Sequence, residues 1–124
     1  MLNVDFSKLD GVVPVIIQDA RTLEVLMQSF MNKEALDLSI ATGYAHYYSR
    51  KRNKVWKKGE ISGYLQEIKE IRIDCDNDSL LMKVRQIGDA ACHEGYSSCY
   101  FRVLKDGDVV ADGMKVFNPK NMYR

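Results

Sequence analysis

"YLQEIKEIRIDCDNDSLLMKVRQI", residues 64–87, is the stretch on which the reading of this chain turns. Its apolar residues fall first at Leu65, Ile68, Ile71 and Ile73, a spacing for which helix and strand compete. The alternation in "EIRID" favours a strand at the C-terminal part, and "SLLMKVRQI", residues 79–87, reads as a second strand. Between them stands "DCDND", residues 74–78, in which three carboxylates alternate with a thiol and an amide. Aspartate is a poor strand former, so the run calls for a reason other than strand propensity.

Working outward, "VVPVIIQDA", residues 12–20, reads as a buried strand, and "EVLMQSFM", residues 24–31, as its partner across a turn at 20–23. "NKEALDLSIATG", residues 32–43, is the clearest helix. Asn32 can cap it, Glu34 suits the positive end of the helix dipole, and Gly43 ends it. Ala35, Leu36, Ser39 and Ile40 form its expected inward stripe. "YAHYYSR", residues 44–50, is strand-like, and "KRNKVWKKGEISG", residues 51–63, reads as a basic connection. "GDAACHEGYSSC", residues 88–99, is a loop of small residues; "YFRVL", residues 100–104, is a strand, "KDGD", residues 105–108, a turn, and a short tail follows. The order predicts a single α+β domain over residues 1–124, with mainly antiparallel sheets and one clear helix.

Composition bounds the function classes. A length of 124 residues fits one compact domain with a real core. The formal charge of +1 gives no ground for general polyanion binding. No apolar run reaches the roughly 18–20 residues that span a bilayer, and "MLNVDFSKLDG" lacks the apolar core of a secretory signal. A cytoplasmic protein with no membrane partner is expected. Three cysteines are too few, and odd in number, for a secreted disulfide scaffold.

Cys92 and Cys99 flank six residues, "HEGYSS", whose glycine lets a loop fold both thiols onto one ion. With Cys75 they make three sulfur donors, which suit zinc and leave a tetrahedral position open for water. His93, beside Cys92, can ligate or move a proton. The plain alternative is three small buried hydrophobes. If residues 74–78 continue the strand, Asp74, Asp76 and Asp78 share one face and Cys75 and Asn77 the other. Clustered carboxylates suit a hard cation such as magnesium; the alternative is a solvated acidic strand end. Acids and thiol on opposite faces imply either two distant metal sites or a Cys75 that faces a neighbouring subunit. Arg50, Lys51, Arg52, Lys54, Lys57 and Lys58 make a basic run that reads as a solvated loop, as a phosphate site, or, with Tyr47, Tyr48 and Trp56, as a single-strand nucleic-acid site.

In this order, "VPVIIQDA", "VLMQSFMNKEAL", "TGYAHYYSRKRNKVWKKGEISG", "IRIDCDNDSLLMKV" and "ACHEGYSSCYFR" closely resemble the phosphoribosyl-AMP cyclohydrolases of histidine biosynthesis. The resemblance covers about residues 9–104 and leaves 105–124 as an extension without assigned function. It departs in detail at Tyr48, where relatives frequently carry tryptophan. It implies hydrolysis of the N1–C6 bond of the adenine ring in N1-(5-phosphoribosyl)-AMP by an intertwined homodimer with interface active sites. It further implies one zinc ion per subunit on Cys92, Cys99 and a Cys75 from the partner chain, and magnesium on Asp74, Asp76 and Asp78. His93 is then a candidate general acid or base, and His46 a second; Arg50, Arg52, Lys57 and Lys58 are candidate ligands of the substrate's phosphates. A small nucleotide, and no nucleic acid, is the expected partner. Many relatives are fused to a pyrophosphohydrolase domain; here a separate protein is expected to supply that step. A zinc-stabilised nucleotide- or RNA-binding module is the alternative. A zinc nucleobase deaminase ranks last, because neither H-x-E nor CxxC is present.

Overall fold

A computed structural model describes residues 2–119. Among them, β1 (Val13–Asp19) and β2 (Val25–Met31) precede helix α1 (Lys33–Thr42). Then come β3 (His46–Ser49), β4 (Lys54–Lys57), β5 (Gln66–Ile73), β6 (Leu80–Gln86), β7 (Arg102–Lys105) and β8 (Asp108–Ala111). The main sheet has the order β2-β1-β6-β5, and β3-β4 and β7-β8 are separate two-stranded ribbons. The α+β class with mostly antiparallel strands is as expected from the sequence. One pairing is parallel: β1 runs alongside β6, with Val15 opposite Leu80 and Asp19 opposite Val84.

A parallel pair cannot be joined by a tight turn and needs a crossover. Residues 32–65, which carry α1 and the β3-β4 ribbon, lie within that crossover. Period-2 alternation says which face they cover. Val13, Val15 and Ile17 on β1 and Leu80, Met82 and Val84 on β6 are buried, while Pro14, Ile16 and Leu81 between them are half-buried. The buried set joins Ala35, Leu36 and Tyr47 in one cluster. Each such aliphatic side chain contributes about 1.5–3 kcal/mol by leaving water.

The helix begins and ends where its residues dictate. Asn32 Oδ1 accepts from the Ala35 amide at 2.8 Å, and Gly43 takes φ 78° to close the last turn on Ser39. Ten residues make a marginal helix alone, so packing must hold it. Ser39, fully buried, donates to the Ala35 carbonyl and accepts from the His46 amide, both at 2.8 Å, tying β3 to α1. The expected stripe needs one correction: Ile40 is 54% exposed. Only Ala35, Leu36 and Ser39 are buried, because a short helix over a sheet turns the position after Ser39 outward.

The reading of residues 51–63 as a connection also needs correction, because β4 lies inside it. Val55 and Trp56 pair with Tyr48 and Tyr47, and the Tyr47 and Trp56 rings meet at 5.3 Å. Cross-strand aromatic contact of this kind stabilises a ribbon whose flanking lysines hide it in sequence. Beneath it, the Tyr47 hydroxyl donates to Gln66 Oε1. Gln66 Nε2 donates to Gln86 Oε1 at 2.8 Å, and Gln86 Nε2 to the Tyr64 and Ile87 carbonyls, each at 3.1 Å. Burial pushes the Tyr47 phenol well above its ordinary pKa, so it remains a donor.

Tyr47→Phe removes that donor and leaves a buried amide oxygen unpaired. Its unfolding free energy is expected to fall by about 1–3 kcal/mol with an unchanged far-ultraviolet circular dichroism spectrum. An unaltered denaturation midpoint would show that the chain of amides tolerates the loss.

Candidate active site

The acidic run is not a strand end. β5 stops at Ile73 and β6 starts at Leu80, and residues 74–79 make the turn between them. The premise of alternating faces is therefore corrected: a turn, not a pleat, gathers the carboxylates. Asp74 is its hub. Its amide donates to the Ser79 carbonyl at 3.0 Å and its carbonyl accepts from Asn77 at 3.2 Å. Its Oδ1 accepts from the Asp78 and Ser79 amides at 3.0 and 3.1 Å. Asn77 sits at φ 61°, a conformation that asparagine tolerates better than most residues. Ligand oxygens of Asp74, Asp76 and Asp78 all lie within 4.8 Å of one another. Partial desolvation pushes the Asp74 carboxyl up, but the amides of Asp78 and Ser79 outweigh it and hold the group below its ordinary pKa. Cys75 stands exposed on the same turn. The N-terminal segment leans on it through Asp5 N to Asn77 O at 2.7 Å and an ion pair of Lys8 with Asp78 at 3.0 Å.

The second centre is the loop holding Cys92 and Cys99. Its C-terminal end is tethered to β2: Ser98 Oγ donates to the Val25 carbonyl at 2.7 Å, and the Cys99 amide to the Leu26 carbonyl at 2.7 Å. The Ala91 and Cys92 amides donate across the loop to Ser97 and Tyr96. Cys92 is buried, and its thiol accepts from the Glu94 amide at 3.4 Å. The Cys99 residue is exposed overall, yet its thiol is desolvated by the loop. That desolvation, with the neighbouring Cys92, pushes it up to about 11 against the pull of Lys58.

The sheet sets these centres apart. The turn bearing Cys75 enters β6 at Leu80, while Cys92 follows its exit at Gln86. Seven strand residues at about 3.3 Å each put roughly 20 Å between them. Among the described residues, the three carboxylates are the one group of three or more His, Cys, Asp and Glu side chains with ligand atoms this close. Within one chain, Cys75 does not join Cys92 and Cys99.

The basic run divides as well. Arg52, Lys57, Lys58 and His93 line one open cleft of about 230 Å³, with Trp56 and Ser62. Arg50 is not among them and stacks on Phe30, 3.8 Å from the ring centre. Lys57 also lies over the Tyr44 ring at 5.3 Å. Lys58 Nζ donates to the Ala91 carbonyl at 2.6 Å. His46, half-buried on β3, places Nδ1 2.9 Å from the Tyr44 carbonyl and is outside the cleft lining. A larger cleft of about 620 Å³, lined by Arg21, Lys69 and Arg85 among others, contains none of the expected site residues.

Two contributors escaped sequence reasoning. The segment after β8 folds back on the thiol loop: Ser97 N donates to Met114 O at 2.9 Å, and the Val116 and Phe117 amides to Gly95 O. Tyr96 stacks on Phe101 with ring centres 3.8 Å apart. Met114 and Val116 are exposed, so the apolar pattern of the tail carried no signal of these backbone contacts. The other is Lys8, whose partner Asp78 lies 70 residues away.

A profile of the phosphoribosyl-AMP cyclohydrolase family matches residues 27–101. A phosphoribosyl-AMP cyclohydrolase of Methanocella arvoryzae is 56% identical over 124 residues, covering 100% of this chain and 99% of the relative. One of Nitratidesulfovibrio vulgaris (strain DP4) is 52% identical over 120 residues, covering 97% and 95%. One of Methanosarcina acetivorans is 52% identical over 124 residues, covering 99% and 100%. The chain belongs to the phosphoribosyl-AMP cyclohydrolase family.

Gly95 tests the clasp of the tail on the thiol loop. It has φ 93°, and a Cβ there would stand 1.9 Å from the Phe117 carbonyl oxygen. Gly95→Ala is expected to cost about 1–3 kcal/mol and to make Cys92 alkylate faster. Unchanged stability and reactivity would show that the tail does not hold the loop.

Proposed function

We propose that this chain, as a member of that family, hydrolyses the N1–C6 bond of the adenine ring in N1-(5-phosphoribosyl)-AMP. The product is the ring-opened phosphoribosyl-formimino carboxamide ribotide of histidine biosynthesis. The observation that carries the reading is the placement of the three thiols: two together at one end of the sheet, and one beside three carboxylates at the other. That division makes sense if two copies associate as an intertwined homodimer, the acid turn of each meeting the thiol loop of the other.

The donor sets fit the two metals the family implies. Cys92, Cys99 and Cys75 of the partner subunit would hold one zinc ion per subunit, since thiolates suit a borderline-soft cation. Asp74, Asp76 and Asp78 would hold magnesium through hard oxygens. Zinc supplies, when bound, a Lewis acid that ionises water near neutral pH. The chain's own residues do the rest. Substitution at N1 makes C6 electrophilic, and water oxygen added there ends, with the exocyclic amine, as a carboxamide. N1 departs as the formamidine nitrogen and must gain a proton. His93, exposed at the cleft rim beside Cys92, is placed to deliver it. His46 is the weaker candidate, its Nδ1 engaged by the Tyr44 carbonyl. Arg52 and Lys57 face the same cleft and suit the substrate's phosphates; Arg50, stacked on Phe30 outside the cleft lining, is the weaker candidate. Holding phosphates far from C6 applies binding energy to orientation at the reacting carbon. A reducing cytoplasm would keep all three cysteines as thiols.

Purified protein supplied with zinc and magnesium should open the ring of phosphoribosyl-AMP, seen as a change in ultraviolet absorbance; no change with metal-replete protein defeats the proposal. In Cys75→Ser, zinc content and the dimer fraction should fall together, and a monomer with full zinc would refute the shared site. Asp76→Asn should keep its zinc yet lose activity at least tenfold at ordinary magnesium, with recovery as magnesium is raised. Activity indifferent to magnesium would exclude that role for the acid turn.

A further inference from the structure

Lys58 stands in a run of cations but is unlike its neighbours. Its backbone amide donates to the buried Ala45 carbonyl at 3.1 Å, fixing its root beside β3. Its side chain turns inward, and Nζ donates to the carbonyl of buried Ala91 at 2.6 Å, across 33 residues of sequence. Ala91 directly precedes Cys92, and its amide closes the loop on Ser97. An ammonium drawn out of water is costly unless its donors are met. One is met by Ala91, which brings the ammonium to the thiol loop, where Cys99 and Cys92 favour its charge against the cost of burial.

We propose that Lys58 is a positioning residue for the Cys92–Cys99 pair and not a ligand of the substrate's phosphates. It pins the backbone beside Cys92 and balances the thiolates with a fixed positive charge. The inference rests on the zinc reading above and extends it. Three thiolates around a divalent ion leave one net negative charge in a desolvated loop, and a single ammonium cancels it. Arg52 and Lys57, whose amine or guanidinium groups are not tied to the thiol loop by any hydrogen bond found among the described residues, remain for phosphate.

The test compares Lys58→Met, Lys58→Gln and Lys58→Arg with the unaltered protein, by chelator competition for zinc and by the sulfur-to-metal charge-transfer bands of the cobalt-substituted form. Glutamine keeps a donor for the Ala91 carbonyl but not the charge; arginine keeps the charge. Zinc affinity is expected to fall about tenfold or more in the Met and Gln variants, with altered charge-transfer bands, and to stay within about threefold in the Arg variant, with circular dichroism unchanged and KM unchanged for the zinc-loaded forms. Glutamine binding zinc as tightly as lysine would overturn the proposal. So would unchanged zinc affinity with a KM raised tenfold, the mark of a phosphate ligand. Unaltered protein that takes up no zinc would remove the zinc reading itself, and this proposal with it, a result separable from either variant outcome.

Discussion

The parallel pairing of β1 with β6 is the constraint from which the rest of the molecule follows. Because the two strands run the same way, the chain between β2 and β5 must cross the sheet, and it does so over the face that buries Val15, Ile17, Leu80 and Met82. The same pairing decides the ends. The turn entering β6 emerges beside the start of β1, and the loop leaving β6 emerges beside the start of β2, where Ser98 and Cys99 are tethered. One rigid strand thus separates the carboxylates from the thiol pair. Each chain carries its acid turn and its thiol loop at opposite ends of β6.

The two ends are stabilised by different physics. At the acid turn, charge is held by backbone donors and one lysine, which together outweigh the partial desolvation of Asp74, so its geometry is local. At the thiol loop, groups are drawn out of water. Cys99 is pushed up by burial and by Cys92, and Lys58 answers with a cation anchored on Ala91. Below them the Tyr47, Gln66 and Gln86 side chains satisfy one another. A partly satisfied network of this kind is costly in a low dielectric, whereas a complete one specifies a single arrangement.

Much of this was legible in local chemistry. Asn32 and Gly43 mark the ends of α1 because a cap and a left-handed stop act within a few residues. The alternation of Val13, Val15 and Ile17 identifies a strand with one buried face. The neighbourhood of Asp74, Asp76 and Asp78 was also readable, though for the wrong reason, since a turn closed on Asp74 gathers them where a pleat was expected. What escaped lay in longer-range terms. Lysines flanking Val55 and Trp56 disguised β4. Ile40 has the right spacing but no wall opposite it. The tail reaches the thiol loop by backbone hydrogen bonds, which leave little trace in side-chain pattern.

The sequence by itself determined the donors, most of the elements and the family: three thiols, three acids in one run, a basic run, one capped helix and the strands of the main sheet. These are properties of residue type and short spacing, and short-range sterics and solvation act on them directly. Only the tertiary structure decided which donors share a centre and which cation meets them. Cys75 and Cys92 are 17 positions apart in the chain, and their spatial separation is set by the length and direction of β6. Lys58 likewise reaches the thiol loop because Ala45 and Ala91 hold its root and its tip. Strand direction and burial are collective outcomes of core packing, and no single stretch of sequence carries them.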